Sequence, residues 1–371
     1  MHLDSRHPLA SGLTHDSRLV RAYRGDRPDV TPVWFMRQAG RSLPEYRALR
    51  VGTAMLDACL NPGMASEITL QPVRRHKVDA AVFFSDIVVP LRLVGVDVEI
   101  VAGKGPVMGE AIRSNDDLDR LLALDPAVLD ERLTAVTEAV AQTVAGLRRI
   151  PGIDGATPLV GFAGAPFTLA AYLVEGGPSK DHLRARALMH SDPLAWSRLM
   201  AWTADVTGRF LRAQVLAGAS AAQLFDSWAG DLSLTDYSEH VAPASARALE
   251  YVKDLGYERG GESHSVPIVH FGVGTGELLA AMHGVGADTV GVDYRIPLDE
   301  AERRLGGGVP LQGNIDPAQL AAPWEVLERH VLDVLARGAS APSHVLNLGH
   351  GVPPDTDPEV LTRIVELVHA R

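Results

Sequence analysis

Apolar residues along the chain gather into eight short runs bounded by glycine, proline or charge. They are PVWFM from Pro32, DAAVFFSD from Asp79, PLVGFAG from Pro158, AAQLFDS from Ala221, PIVHFGVG from Pro267, ADTVGVD from Ala287, PLQGNID from Pro310 and HVLNLGHG from His344. The stretches between them carry helical spacing, as in GELLAAMHG after Gly274, PLDEAERRLG after Ile296 and AQLAAPWEVLERHVLDVLARG after Pro317. Continuous apolar strands joined by helices imply a parallel sheet buried on both faces. Eight strand–helix units are the number that closes a (β/α)8 TIM barrel. The connections shrink to little more than one helix between the fifth, sixth and seventh runs, which leaves no room for a linker. The pattern therefore predicts one barrel domain over residues 17–371, preceded by a mobile tail of 16 residues. A doubly wound open sheet with a cap would give the same order of runs. The long gap from Asp86 to Pro158 contains VDVEIVAGKGPVM, read as an extra hairpin after the second strand, and then a helix from about Asp116 to Leu147.

Composition narrows the class of partner. The chain of 371 residues is 46% hydrophobic, enough for a full core, and its 35 basic and 46 acidic residues leave a formal charge of −11. Nucleic acid and anionic membrane surfaces, which recruit Lys and Arg, are excluded as general partners. A single cysteine, Cys59, rules out an intramolecular disulfide framework and all-cysteine metal sites. The opening MHLDSRHPLASGLTHDSR lacks the apolar stretch of a secretory signal, and no later run reaches the length of a membrane span, so a cytoplasmic location is expected.

In a barrel of this kind the active site is built at the C-terminal ends of the strands. Those ends are rich here in polar residues and glycine. The first run closes in Arg37-Gln38-Ala39-Gly40-Arg41, the second in Ser85-Asp86, the fourth in Asp226-Ser227, the sixth in Asp293, the seventh in Asn314 and Asp316, and the eighth in Asn347-Leu348-Gly349-His350-Gly351. Arg37 and Arg41, four apart with small residues between, suit a carboxylate or phosphate through their forked donors, or else bridge to Glu45 on the next helix. Asp86 ends a strongly apolar strand and needs a partner: a ligand cation, ligand N–H groups or its own turn. Ser227 is a contact or a cap, and no G-x-S-x-G elbow surrounds it. His350 is uncovered by its flanking glycines. Tyr172, in TLAAYLVEGG, reads as core with a hydroxyl to satisfy. The histidines show no H-E-x-x-H or other metal spacing, so no metal is expected. Gly272-Val273-Gly274-Thr275-Gly276 follows a strand, but Glu277 stands where a dinucleotide fingerprint needs its third glycine.

At these strand ends the chain resembles the uroporphyrinogen decarboxylase family of haem biosynthesis. The resemblance runs through PVWFMRQAGRSLPEYR, LQPVRRHKVDAAVFFSDI, VAGKGP, GFAGAPFTLAAYLVEGG, QLFDSWAG, LQGNIDP and NLGHG, essentially everything after the N-terminal tail. It implies a single (β/α)8 barrel, a homodimer, and no metal or organic cofactor. The implied reaction converts uroporphyrinogen III to coproporphyrinogen III, the acetate arms becoming methyl groups with release of carbon dioxide. Carried over by residue, it implies that Arg37 and Arg41, with the intervening backbone of Gln38, Ala39 and Gly40, bind substrate carboxylates. Asp86 would accept the pyrrole N–H groups, while Tyr172, Ser227 and His350 complete the contacts and Arg50 and Phe225 form wall. Asp86 and Arg37 are the catalytic pair, Arg37 by positioning, since a guanidinium with pKa above about 12 is a poor general acid. The sequence departs from relatives at Asp226, often Glu, at Trp228, where some members have His, and at HFGVGTG, so contacts from those strands and the role of the Gly272–Gly276 loop are open. Two alternatives are a corrinoid- and zinc-dependent methyltransferase of the same superfamily, for which one cysteine is too few, and a non-catalytic tetrapyrrole carrier.

Overall fold

The computed structural model describes residues 1–40, 42–150 and 157–371. Its strands in chain order are β1 (Ala81–Val82), β2 (Val98–Val101), β3 (Gly105–Met108), β4 (Leu159–Gly164), β5 (Ala221–Asp226), β6 (Gly256–Arg259), β7 (Glu262–Ser265), β8 (Ile268–Gly272), β9 (Thr289–Gly291), β10 (Leu311–Ile315) and β11 (His344–Leu348). Seven of them form a parallel sheet in the order β1-β4-β5-β8-β9-β10-β11, with helices in the connections. The remaining four make two antiparallel pairs, β2 with β3 and β6 with β7. Strands β4, β8, β10 and β11 are buried at every position, as a sheet covered on both faces requires.

The first apolar run contributes less regular strand than its composition predicts. Val33 makes one parallel bridge to Leu346 of β11, with Trp34 N donating to Leu346 O at 3.2 Å and Leu346 N to Pro32 O at 2.9 Å. On its other side Asp79 N donates to Val33 O at 2.9 Å, just before β1. The chain then turns, because the buried amide of Gln38 captures the local backbone: its Oε1 accepts from Phe35 N and its Nε2 donates to Ala80 O, both at 2.9 Å.

Other departures have equally local causes. The helix expected from Asp116 to Leu147 is broken into Asn115–Leu122, a 3-10 turn Pro126–Val128, Leu129–Arg132 and Thr134–Leu147. Pro126 has no N–H to continue the ladder, and Asp125 caps the new start by accepting from Ala127 N. Pro323 likewise divides the stretch after Pro317 into Pro317–Ala321 and Trp324–Gly338. The first 16 residues, expected to be a mobile tail, are anchored. Leu9 is fully buried, His7 Nε2 meets Val215 O at 2.9 Å, the Thr14 and Ser220 hydroxyls bond at 2.8 Å, and Leu3 N donates to Gly256 O. An isolated polar stretch looks mobile, but these side chains find partners that only the folded molecule assembles.

The helix Arg18–Tyr23 closes the end of the sheet at which the strands begin. Ser343 Oγ, just before β11, donates to Ala22 O, and Thr289 Oγ1, at the start of β9, to Tyr23 O. The Tyr23 hydroxyl accepts from Trp34 Nε1 at 3.0 Å and donates to Gln312 Oε1 at 2.6 Å, and Gln312 Nε2 donates to Gln223 Oε1 at 3.2 Å. This buried chain of polar groups leaves the opposite end, where the strands finish, as the open one.

Candidate active site at the strand ends

Phe225 on β5 stands edge-on between Phe162 of β4 at 5.4 Å and Phe271 of β8 at 5.9 Å. Gly291 of β9 makes room for this aromatic floor, since a Cβ there would sit 2.8 Å from the Phe271 side chain. Asp226, one residue on, points the other way. It is fully buried, accepts from Thr168 Oγ1 at 3.1 Å and lies 3.7 Å from His270 Nε2, so it belongs to the helix-facing layer. Strand alternation thus assigns Phe225 to one face and Asp226 to the other, and Ser227 follows in the turn after β5. Ser227 itself is half-buried.

Arg37 is exposed and held at φ 63° by the turn that Gln38 imposes. Its aliphatic stem lies across Gly351: a Cβ on that glycine would come within 2.4 Å of Arg37 Cδ. The first and eighth runs therefore meet at Arg37 and His350-Gly351, and Val352 N donates to Met36 O beside them. His350 is exposed, with its Nδ1 accepting from Gly351 N at 2.8 Å. Gln38 is buried with its side chain engaged, so its amide is a brace; Gly40 is buried and Ala39 half-buried. Arg41 lies outside the described residues. The bridge from this arginine pair to Glu45 has a competitor, since Glu45 binds Arg75 through two bonds of 2.8 and 2.9 Å.

Asp86 sits half-exposed in the turn after β1, its Oδ1 accepting from Val88 N at 3.1 Å. Burial raises its carboxyl above the ordinary range, while that N–H and the Arg37 cation pull it back down. Tyr172, on the helix Pro166–Glu175, feels the same pair. Burial and the Asp86 charge push its phenol up to about 12, and Arg37 opposes them. The Asp86 carboxyl in the turn after β1, the Arg37 guanidinium after the first run and the neutral Tyr172 phenol on the helix after β4 are thus near enough to act on one another. Arg50 supports them from the side: it donates to the Tyr46 hydroxyl at 2.7 Å and to Thr53 O at 2.9 Å, and the Tyr46 ring packs edge-on against Phe84 just before Asp86.

These groups could hold an anion at Arg37 and accept N–H donors at Asp86, against an apolar floor. A family model described as uroporphyrinogen decarboxylase matches residues 14–371. The chain belongs to that family. It is 71% identical over 375 residues to the uroporphyrinogen decarboxylase of Leifsonia xyli subsp. xyli, covering 99% of this chain and 98% of the relative. That of Arthrobacter sp. is 63% identical, with 97% and 98% covered, and that of Streptomyces griseus 55% identical, with 96% and 92% covered. Among solved structures, a methyltransferase from Methanosarcina mazei superposes with a TM-score of 0.76 over 95% of this chain and 97% of its own, at 18% identity. That likeness shows the fold alone.

Within the family frame, the structure supplies contacts that the sequence left open. Trp228 packs against Tyr172, ring centroids 4.0 Å apart, and its other neighbour is the buried His182 at 4.2 Å. His182 Nδ1 lies 2.6 Å from Asp231 Oδ2. No spacing motif links Tyr172 and His182, from the connection before β5, with Trp228 and Asp231, from the connection after it. The Gly272–Gly276 loop is tied down rather than opened to a ligand: Gly274 N donates to Asp293 Oδ2 at 2.7 Å, and the following helix starts only at Leu279. Asp293 also pairs with Arg295, Asn314 Nδ2 donates to Asp293 O and Ile296 O, and Asp316 caps Ala318 N, so these strand-end polar residues knit loops together. A groove of about 1120 Å³ between outer helices is lined by Asp130, Asp205, Arg209 and Arg247, whose charges pair with one another. Among the described residues no helix is long and apolar enough to cross a membrane.

Proposed function

We propose that the chain decarboxylates the acetate arms of uroporphyrinogen III to methyl groups, giving coproporphyrinogen III and carbon dioxide. The single observation that carries the site assignment is the grouping of Asp86 with Arg37 and Tyr172 where a parallel sheet ends, in a chain of this family. An acetate on a pyrrole loses carbon dioxide readily once the adjacent ring carbon is protonated, because the resulting cation accepts the electrons released. Asp86, held in the turn after β1, stabilises that cation through a preorganised charge and accepts the pyrrole N–H groups. Arg37 and Arg41, with the backbone of Gln38, Ala39 and Gly40, hold carboxylates in register. Tyr172, Ser227 and His350 complete the contacts, and Phe225 with Phe162 and Phe271 gives the macrocycle an apolar floor. Arg50 acts on this wall through Tyr46 and Phe84.

The reaction requires no metal or organic cofactor, since the protonated pyrrole is its own electron sink. A thiol-activating zinc centre of the methyltransferase type finds poor support in these residues. The one cysteine, Cys59, is buried, and burial beside the Asp86 charge holds its thiol well above the usual range. The proposal includes one barrel domain over residues 17–371, closed through residues 32–36 between β11 and β1, and a homodimer in the cytoplasm. Anaerobic incubation with freshly reduced uroporphyrinogen, without added metal, should yield species of seven, six, five and four carboxylates on chromatography. Unchanged substrate would reject the reading.

A further inference from the structure

Outside the cleft, two helices bring together residues that share no motif. His190 ends the helix Leu183–Ser191, while Asp236 and His240 lie one turn apart on the helix Leu234–His240. One ligand atom from each of the three lies within 4.8 Å of the others, and the two imidazoles stand perpendicular with centroids 5.7 Å apart. Hydrogen-bond networks account poorly for this spacing. His190 Nε2 is 3.5 Å from Asp236 Oδ1, longer than a charge-assisted bond of about 2.8 Å. It matches the edge of a tetrahedron around an ion whose bonds to nitrogen and oxygen are about 2.0–2.1 Å, which is about 3.3 Å.

We propose that His190, Asp236 and His240 form a zinc-class divalent metal site, with solvent in a fourth position, that clamps these two helices together. Two imidazoles and a carboxylate favour zinc, cobalt or nickel over magnesium or calcium. The ligand-bearing helices are already positioned. Ser233 Oγ caps the second by accepting from Asp236 N at 3.0 Å, and Trp196 Nε1 donates to His240 O at 3.0 Å. Binding then needs side-chain rotation of His190 and His240, without backbone movement. The two helices also begin beside the cleft. The first follows His182 directly, and the second starts three residues after Asp231, the partner of His182. The site lies about 12 Å along the first helix from His182. It is therefore a structural brace on the wall carrying Trp228, and it stands independently of the decarboxylase reading.

The test uses the full, untagged chain. Zinc titration by calorimetry should show one site, and cobalt should give the intense visible bands of a four-coordinate ion. The half-exposed His190 makes H190A the cleanest variant; it should melt like the parent without metal, lose about a hundredfold in affinity, and lose the metal-induced rise in Tm. D236N and H240A should behave alike. Zinc affinity and cobalt spectra unchanged in H190A and H240A, or parent binding no tighter than in those variants, would overturn the site and assign any binding to adventitious histidines elsewhere.

Discussion

Asp86 combines two opposing demands at one residue. Burial raises its carboxyl above the ordinary range, while the Val88 N–H and the Arg37 cation pull it back down. Asp86→Asn keeps the size and removes the charge; kcat should fall by about 10²–10³, the loss typical of a preorganised charge, with a smaller change in KM. Steady-state rates on reduced uroporphyrinogen decide this, and near-normal kcat would remove Asp86 from the chemistry. Arg37→Gln tests the coupling. Without that cation the Asp86 pKa rises, so the acid limb of the pH–rate profile should move to higher pH, beyond the expected increase in KM. Gly351→Ala is a subtler probe: the new Cβ meets the Arg37 stem at 2.4 Å, which must swing aside. KM should rise more than kcat falls. Arg37, Asp86 and His350 stand out in the sequence because each follows an apolar run, and the structure places Arg37 beside His350-Gly351 and within electrostatic reach of Asp86. The sequence did not show that the Gln38 amide is taken up by Phe35 N and Ala80 O, or the Arg50 donors by the Tyr46 hydroxyl and Thr53 O, because a side chain's partner is not written in the motif that carries it.

At the scale of elements, runs of apolar residues locate strands well, whereas regularity depends on neighbours. β4, β5, β8, β10 and β11 lie inside runs read from the sequence, while the first run bridges only at Val33 because the Gln38 amide turns the chain. The helix expected over Asp116–Leu147 breaks where Asp125-Pro126 offers both a cap and a missing donor, a signal that was present in the letters. The N-terminal segment is the clearest reversal. Its charges read as solvated, yet Leu9 is fully buried. Leu9→Ala should therefore cost about 2–5 kcal/mol in urea unfolding, the range for a buried leucine; a change within ±0.5 kcal/mol would restore the picture of a mobile tail. In the same way His182→Ala removes one face of the Trp228 stack and the Asp231 contact, and should lower the melting temperature while raising KM through Tyr172.

For the whole molecule, buried histidines set the acid limit. Burial lowers both His76 and His344 to about 4, and it also lowers His7 and His330. A histidine depressed in the fold is held neutral, so its contribution is fully present above the unfolded value near 6.5. It fades as pH falls towards 4, because the unfolded chain takes up the proton first. For His76 and His344 this amounts to about 2 kcal/mol each between pH 7 and pH 5. The raised carboxyls of Asp86 and Asp288 act in the opposite sense. Urea melts at pH 7 and pH 5 should show a net loss, reduced in His344→Gln; a flat profile would contradict the burial of these rings. The overall charge of −11 is a sum over the whole chain and does not set the local potential beside Arg37, where the proposed function places a polyanionic substrate.

The sequence by itself determined the alternation of apolar strands with helices, the family, and the polar residues that follow the strands, but not the β6–β7 hairpin or the single bridge to which the first run is reduced. The features it determined are local, repeated or long enough in motif to stand without coordinates. Only the tertiary structure decided which polar groups face each other. It laid Arg37 across Gly351, stacked Trp228 between Tyr172 and His182, and gathered His190 with Asp236 and His240. The physical reason is that side-chain periodicity is a property of one element, whereas contact between connections far apart in the chain depends on how the elements pack.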